Sequence, residues 1–255
     1  MKVKLIVYCL LFVFILACIG CSDSQQTQNT NSSSNVKPIK ANAKKSNDFS
    51  YVDIDLTGST GVIATTRNFI LIFDGSGSMG DKLSRDAIEP KLVGAKQAAQ
   101  EFITKVPNDV NLGLLVFDKG GTRIVVSLGQ NNHSELSAAI DEITAGGGTP
   151  LAASIKAATD ALVIQYKQQL GYGEYKIVAI TDGEANGIPD AAEYAMRRRV
   201  LIHAIGLGIE GDHPLREVAL SYEEAFNFAD LGKALEATLS EADTFDASTF
   251  DPTGL

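Results

Sequence analysis

The feature that most limits the fold of this chain is an uninterrupted apolar run, residues 69–73 (FILIF), which ends at Asp74. A strand that is apolar on both faces must be covered on both sides, as a central strand of a parallel α/β sheet is. A second run, residues 176–180 (KIVAI), is followed by Thr181 and Asp182. We therefore expect two buried strands, each followed closely by an aspartate.

Helix and strand patterns alternate along the rest of the chain. Apolar residues at helical spacing predict helices from about Pro90, over about 134–143, from Pro150, near 190–199 and over about 230–241. Further strands are predicted over 110–117, 122–128 and 201–207, and the turn at 118–121 joins the first two of these as a hairpin. This alternation predicts a mostly parallel sheet with helices on both faces and one antiparallel strand at an edge.

The loop after the first run, residues 74–80 (DGSGSMG), has three interpretations. In the first, Gly75, Gly77 and Gly80 have the spacing of a dinucleotide-binding fingerprint. Asp74 would repel a pyrophosphate, however, and no acidic residue ends a second strand about twenty residues later, as the fingerprint requires. This spacing alone is weak evidence for a nucleotide site.

The second interpretation is a serine hydrolase, because Ser76, Ser78 and Gly80 approximate its nucleophile turn. The first glycine of that pattern is missing. The base would have to come from the histidines of the chain, which are His133, His203 and His213. Since His203 lies in an apolar strand, a core position with its polar atoms satisfied is favoured for it.

The third interpretation is a cation site, in which the Asp74 carboxylate and the hydroxyls of Ser76 and Ser78 are hard oxygen ligands. It requires further oxygen ligands on neighbouring loops. Thr149 follows a run of glycines just before a predicted helix, and Asp182 follows the second buried strand. In sheets of this type ligands bind outside the carboxyl ends of the strands, where these residues are expected.

At these residues the chain resembles the von Willebrand factor type A domain family, which has a metal-ion-dependent adhesion site. The matching residues, in the order of the family, are Asp74, Ser76, Ser78, Thr149 and Asp182. The resemblance spans about residues 66–242. It implies a doubly wound, Rossmann-like α/β fold with a six-stranded, mostly parallel sheet and one antiparallel edge strand. It also implies Mg²⁺ as the usual metal, with Mn²⁺ and Ca²⁺ as alternatives.

The resemblance implies that the three hydroxyls coordinate the metal directly while Asp74 and Asp182 act mainly through water. The cation would then remain electron-poor, and an Asp or Glu carboxylate of a partner protein would complete its coordination. The predicted function is a metal-dependent protein-binding module for adhesion or assembly, without enzyme activity. A scaffold subunit of an envelope complex and a metal-dependent hydrolase are the alternatives. Movement of the last helix on metal binding and plain packing of that helix both remain open.

The N-terminus predicts export. Residues 1–20 read as a signal peptide, because Lys2 and Lys4 precede an apolar run, 5–17, that is too short to span a bilayer comfortably. The region resembles the lipobox of bacterial lipoproteins, with Cys18 slightly favoured as the lipidated residue and Cys21 as the alternative. An ordinary cleaved signal peptide is a third possibility. The chain has 3 cysteines, all within the first 21 residues, so its domain must be stable without disulfides.

The remaining segments complete the predicted organisation. Residues 21–50 are polar and read as a flexible tether, 51–65 match no pattern, and 243–255 form a C-terminal tail. The net charge of −9 argues against nucleic acid as a partner, because phosphate binding requires a basic surface. The expected location is the bacterial cell envelope, with a lipid anchor in a membrane and the domain outside the cytoplasm.

Overall fold

A computed structural model describes residues 66–183, 185–209 and 211–239. The predicted signal peptide, both candidate lipidated cysteines, the tether, residues 51–65 and the C-terminal tail lie outside the described residues. These assignments stay predictions.

The described residues form alternating strands and helices. The strands are β1 (Arg67–Asp74), β2 (Asn111–Asp118), β3 (Gly121–Gly129), β4 (Glu174–Thr181), β5 (Leu201–Leu207) and β6 (Ser221–Ala225). The helices are α1 (Lys91–Lys105), α2 (His133–Asp141), α3 (Leu151–Gln168), α4 (Ile188–Met196), α5 (Leu215–Val218) and α6 (Phe228–Ala237). A 3₁₀ turn, Gly77–Gly80, follows β1.

The strands form one sheet in the order β3-β2-β1-β4-β5-β6. β2 and β3 pair antiparallel at one edge, and the other neighbouring strands pair parallel. The chain moves outward from β1 in one direction and, after α3, outward from β4 in the other. β1 and β4 therefore flank the point where the strand order reverses, and Phe73 pairs with Ile180 there. The crevice at such a point is the usual ligand site of this sheet type.

The alternation of side chains along β1 separates two buried apolar layers. Phe69, Leu71 and Phe73 face the layer that contains α1, α2 and α6. Ile70 and Ile72 face the layer that contains α3 and α4. Both faces of β1 are thus fully covered, which explains why its sequence is apolar at every position from 69 to 73. The predicted fold class, with its antiparallel edge strand, is confirmed.

Two elements of the structure, β6 and α5, were not predicted from the strand and helix patterns of the sequence. β6 has the sequence SYEEA, and α5 is only 4 residues long. An edge strand has one side without a neighbour and can carry charged residues, so β6 lacks the apolar run that marked the central strands. The sixth strand was implied by the family resemblance alone. The last helix was predicted over about 230–241, whereas α6 begins at Phe228 and ends at Ala237.

We predict opposite effects for alanine at two helix glycines. A Cβ at Gly94 in α1 would lie 2.4 Å from ring atoms of Phe228, whereas one at Gly232 in α6 would have no heavy atom within 4 Å. Gly94→Ala should therefore lower the free energy of unfolding by about 1–3 kcal/mol through overpacking. Gly232→Ala should raise it by about 0.5–1 kcal/mol, the usual gain from removing a glycine in a helix. Urea titration of both variants tests this, and equal effects would contradict the close packing of α1 on Phe228.

Candidate metal site

The five predicted ligands lie at the carboxyl edge of the sheet, around the point where the strand order reverses. Asp74 is the last residue of β1, and Ser76 and Ser78 belong to the turn that follows. Asp182 directly follows β4, and Thr149 lies just before α3. Strands and helix ends from three separate parts of the chain thus bring these side chains to one place.

The side-chain oxygens of Ser76, Ser78 and Asp182 lie within hydrogen-bond distance of one another in succession. The Oγ atoms of Ser76 and Ser78 are 3.2 Å apart, and Ser78 Oγ donates a hydrogen bond to Asp182 Oδ1 at 2.8 Å. Thr149 lies beside this group, since its Oγ1 would be 3.5 Å from a Cβ placed on Gly183. The arrangement is a cluster of hydroxyl and carboxylate oxygens.

Asp74 forms the buried base of the cluster and has no exposed surface. Its Oδ1 accepts a hydrogen bond from the backbone N–H of Ser76 at 2.8 Å, and its Oδ2 accepts one from Thr181 Oγ1 at 2.7 Å. Burial raises the pKa of the Asp74 carboxyl; the hydrogen bonds from Ser76 and Thr181 oppose the rise, and the nearby charge of Asp182 adds to it. A bound cation would offset the cost of keeping this carboxylate ionised.

Backbone hydrogen bonds hold the serine loop against its neighbours. Gly75 N donates to Phe117 O at 2.8 Å, Gly77 N donates to Gly147 O at 3.1 Å, and Gly146 N donates to Gly75 O at 2.9 Å. A Cβ on Gly75 would come within 2.8 Å of the side chains of Asp118 and Ile143, so glycine is required there. The N–H groups of Gly75 and Gly77 that a pyrophosphate would need are already used inside the protein. This argues against the dinucleotide interpretation.

Asp118, at the end of β2, ties the hairpin to the loop that leads to Thr149. Its Oδ1 accepts hydrogen bonds from Arg123 Nη1 at 2.6 Å and from Gly120 N at 2.7 Å. Its Oδ2 accepts one from Thr144 N at 3.3 Å. Burial raises the pKa of the Asp118 carboxyl, but the hydrogen bonds from Arg123, Gly120 and Thr144 outweigh burial and lower that pKa overall.

Sequence reasoning missed two residues of the site, Lys91 and Thr181. Lys91 Nζ lies 2.8 Å from Asp182 Oδ2; the Asp182 side chain is fully buried and that of Lys91 is 15% exposed. The available signal was the position of Lys91 at the start of a predicted helix, where the helix dipole disfavours a cation. Thr181 was visible as the residue before Asp182, but its bond to Asp74 depends on the pairing of β1 with β4.

The histidines give no support to the hydrolase interpretation. The described hydrogen bonds of the Ser76 and Ser78 side chains go to each other, to Asp182 and, from Ser76, to Asp74. His213 is buried near the site, but its Nε2 pairs with Gly183 O at 3.2 Å and its Nδ1 accepts from Leu215 N at 3.2 Å. Both of its ring nitrogens are therefore occupied.

The two other histidines lie elsewhere in the fold. His133 bonds Val106 O at 2.8 Å. His203 was expected to be satisfied in the core, but it is only half-buried. Its Nδ1 pairs with Ser221 Oγ at 2.8 Å, while its buried Nε2 has no hydrogen-bond partner among the described residues. Burial, followed by the charge of Lys176, lowers the pKa of His203.

A cavity of about 580 Å³ lies beside the site, in the loops that follow β4 and β5. Its lining residues are Ala185, Asn186, Pro189, Asp212, His213, Pro214 and Glu217. The bond from His213 to Gly183 connects the cavity wall to the loop that carries Asp182.

The chemistry of the donor set fits a small divalent cation. Hydroxyl and carboxylate oxygens are hard ligands, as Mg²⁺ and Mn²⁺ prefer. In the part of the chain that the structure describes, no group of three or more His, Cys, Asp or Glu side chains is placed to hold a metal ion. A metal at this sheet edge would thus depend on the hydroxyls of Ser76, Ser78 and Thr149 as well as on the two aspartates.

Comparison with known proteins relates the domain to a family. Residues 69–184, which include all five predicted ligands, match the family model described as von Willebrand factor type A domain. Proteins with this domain commonly use it for adhesion or for assembly with other proteins, and often bind a divalent metal.

The similar proteins differ widely in overall length. Calcium-activated chloride channel regulator 3A-1 of Mus musculus is 30% identical over 142 residues, which is 54% of this chain and 14% of that protein. The chain therefore spans only about a seventh of this curated relative.

Solved structures share the fold. The pilus adhesin SpaC of Lactobacillus rhamnosus GG has a TM-score of 0.55 and 16% identity, over 69% of this chain and 30% of SpaC. The manganese-loaded TRAP protein of Plasmodium vivax has a TM-score of 0.50 and 17% identity, over 70% of this chain and 75% of TRAP. Among the described residues of the present chain, no helix is both long and apolar enough to span a membrane.

We predict that Asp118→Asn destabilises the domain in a pH-dependent way. Because the pKa of Asp118 is lowered in the folded state from 3.8, its ionised form stabilises the fold above that pH. The variant should lose about 1–2 kcal/mol of unfolding free energy at neutral pH, a modest loss since Arg123 is partly exposed.

The difference between the Asp118→Asn variant and wild type should shrink as the pH falls below 3.8 and Asp118 itself becomes protonated. Urea titrations of the variant and wild type at neutral pH and below pH 3.8 measure this difference. The control is Asp141→Asn, on the surface of α2. A deficit of the same size at both pH values would contradict the assignment.

Proposed function

We propose that this domain binds a divalent cation through Ser76, Ser78, Thr149, Asp74 and Asp182, and uses it to bind a carboxylate of a partner protein. The observation that carries the proposal is the cluster of Ser76, Ser78 and Asp182 oxygens, whose successive separations are 3.2 and 2.8 Å, beside the strand-order reversal. When bound, the metal supplies positive charge and a coordination position for an oxygen of the partner. Mg²⁺ is the metal we favour, with Mn²⁺ and Ca²⁺ as alternatives.

The proposed ligands have different roles in the site. The hydroxyls of Ser76, Ser78 and Thr149 are neutral donors and would hold the cation without cancelling its charge. Asp74 accepts hydrogen bonds from Ser76 N and Thr181 Oγ1, and we assign it the role of orienting the serine loop and contributing negative charge beneath the cation. Asp182 is shared with Ser78 and Lys91. A carboxylate from outside the chain is therefore a fitting further ligand.

A binding role is favoured over catalysis. A hydrolase needs a base within hydrogen-bond reach of its nucleophile or water. Around this site the candidate base, His213, already uses both nitrogens in structural hydrogen bonds. Adhesion is also the activity named for SpaC, which has the same fold. We therefore propose a non-enzymatic adhesion or assembly module.

The proposed location is the bacterial cell envelope. The N-terminal pattern of Lys2, Lys4 and the apolar run 5–17 supports export, and the cysteines at 18 and 21 support a lipid anchor. The polar composition of residues 21–50 suits a tether that holds the domain away from the membrane.

The anchor can be tested by substitution. In bacteria supplied with a radiolabelled fatty acid, Cys18→Ser should abolish labelling of the protein, while Cys21→Ser should leave it intact. The reverse result would assign the lipid to Cys21. The absence of label from wild type and from both variants would contradict the lipid anchor.

The metal site makes a direct prediction for calorimetry. Titration of Mg²⁺ or Mn²⁺ into the full chain should show saturable binding at one site. Asp74→Ala should weaken that binding about 10–100-fold or more, since removal of an orienting group disturbs several ligands at once. The variant should stay folded, because the loss of a buried charge offsets part of the cost of leaving Ser76 N and Thr181 Oγ1 without their acceptor.

The control for the calorimetry is Ser134→Ala, which removes a hydroxyl exposed on α2 and should bind metal like wild type. Equal affinity of Asp74→Ala and wild type would contradict the site. If the site holds, proteins from the cell envelope that bind the wild-type chain should be released by chelator and should fail to bind Asp74→Ala. A partner that binds wild type and Asp74→Ala equally would contradict the metal-dependent mechanism.

A further inference from the structure

Lys91 places an ammonium group inside the proposed metal site. Its Nζ is 2.8 Å from Asp182 Oδ2, while Asp182 Oδ1 accepts the hydrogen bond from Ser78. Both charged side chains are largely removed from water, at 15% and 0% exposure. By contrast, the ion pair between Lys105 and Glu236, which also involves α1, is on the surface, with exposures of 46% and 47%.

The position of Lys91 is unfavourable for its own helix. It is the first residue of α1, whose first turn contains no acidic residue. A cation at a helix N-terminus is opposed by the helix dipole. The pairing with buried Asp182 is the interaction that compensates for this position.

The backbone also holds Lys91 close to the serine loop. Its N–H donates to Asp81 O at 2.8 Å, directly after the 3₁₀ turn that contains Ser78. An isolated bridge between Lys82 and Pro90 closes the intervening loop at its base. The start of α1 is therefore fixed next to the site, and the lysine side chain needs no rearrangement to reach Asp182.

We propose that Lys91 is the built-in counter-ion of Asp182, that it weakens metal binding, and that it leaves the loaded site with a net positive charge for a partner's carboxylate. Two carboxylates and one ammonium present one net negative charge to a dication. A loaded site then keeps one net positive charge, which a carboxylate of the partner neutralises. Metal and partner thus bind cooperatively. This inference rests on the proposed metal site.

The test is Mn²⁺ calorimetry on the full chain with Lys91→Gln, which retains a hydrogen-bond donor for Asp182 and removes the charge. Removing a positive charge this close to the metal should tighten Mn²⁺ binding about tenfold or more. Lys105→Gln, at the other end of α1, removes a charge outside the site and should bind Mn²⁺ like wild type. Lys91→Arg keeps the positive charge next to Asp182 and should not tighten Mn²⁺ binding. Lys91→Met is the second neutral variant, for use if Lys91→Gln does not fold.

A second measurement distinguishes an electrostatic effect of Lys91 on Mn²⁺ binding from steric obstruction by its side chain. Replacing chloride by acetate provides a free carboxylate, which should tighten Mn²⁺ binding more in wild type than in Lys91→Gln. If wild type binds Mn²⁺ and the neutral variants bind it equally or more weakly, or acetate acts equally on both, this inference is overturned and the metal site stands. If neither wild type nor the neutral variants bind Mn²⁺, the proposed function and this inference are overturned together.

Discussion

Asp74 is a carboxylate at the end of a central strand with no contact to solvent, and the hydrogen bonds that it accepts offset part of the cost of burying its charge. It receives the backbone N–H of Ser76 from its own loop and the hydroxyl of Thr181 from the neighbouring strand. These two bonds link β1, β4 and the serine turn at the point where the strand order reverses. A displacement of β1 relative to β4 would break the bond from Thr181 and leave one oxygen of the buried carboxylate without its partner, which is costly. The register of the two central strands and the geometry of the site are therefore coupled.

The charge balance of the site follows from its composition. It contains three neutral hydroxyls and two aspartates that already have hydrogen-bond partners in the protein. Asp74 is bound by Ser76 and Thr181. Asp182 is bound by Ser78 and Lys91. In this setting an incoming dication is not fully neutralised by the protein. The proposed binding of a partner's carboxylate and the proposed role of Lys91 both rest on this incomplete neutralisation. The cavity beside Asp182 gives the space in which such a partner could be accommodated.

Local sequence patterns predicted most of the fold, because the central elements are the most strongly patterned. β1 and β4 are buried on both faces, and each therefore contains a continuous apolar run, 69–73 in β1 and 177–180 in β4. α1 and α3 are 15 and 18 residues long and repeat apolar residues at helical spacing. β6 escaped detection because an edge strand with exposed glutamates has neither pattern. The observed boundaries of α6 differ from the predicted ones by a few residues. The helix begins after Asn227, whose side chain accepts a hydrogen bond from Asp230 N.

The sequence by itself determined the fold class and the five candidate ligands, because apolar strands that end in Asp74 and close to Asp182 place both residues at one sheet edge. It could not show which other side chains meet there. Lys91 is 91 positions away from Asp182 and Thr181 is 107 positions away from Asp74, so no local pattern relates them. Only the tertiary structure, through the parallel pairing of β1 with β4 and the anchoring of α1 beside the serine turn, decided that an ammonium and a threonine hydroxyl complete the site. The physical reason is that a buried carboxylate takes whichever donors the packing of distant segments brings within hydrogen-bond distance.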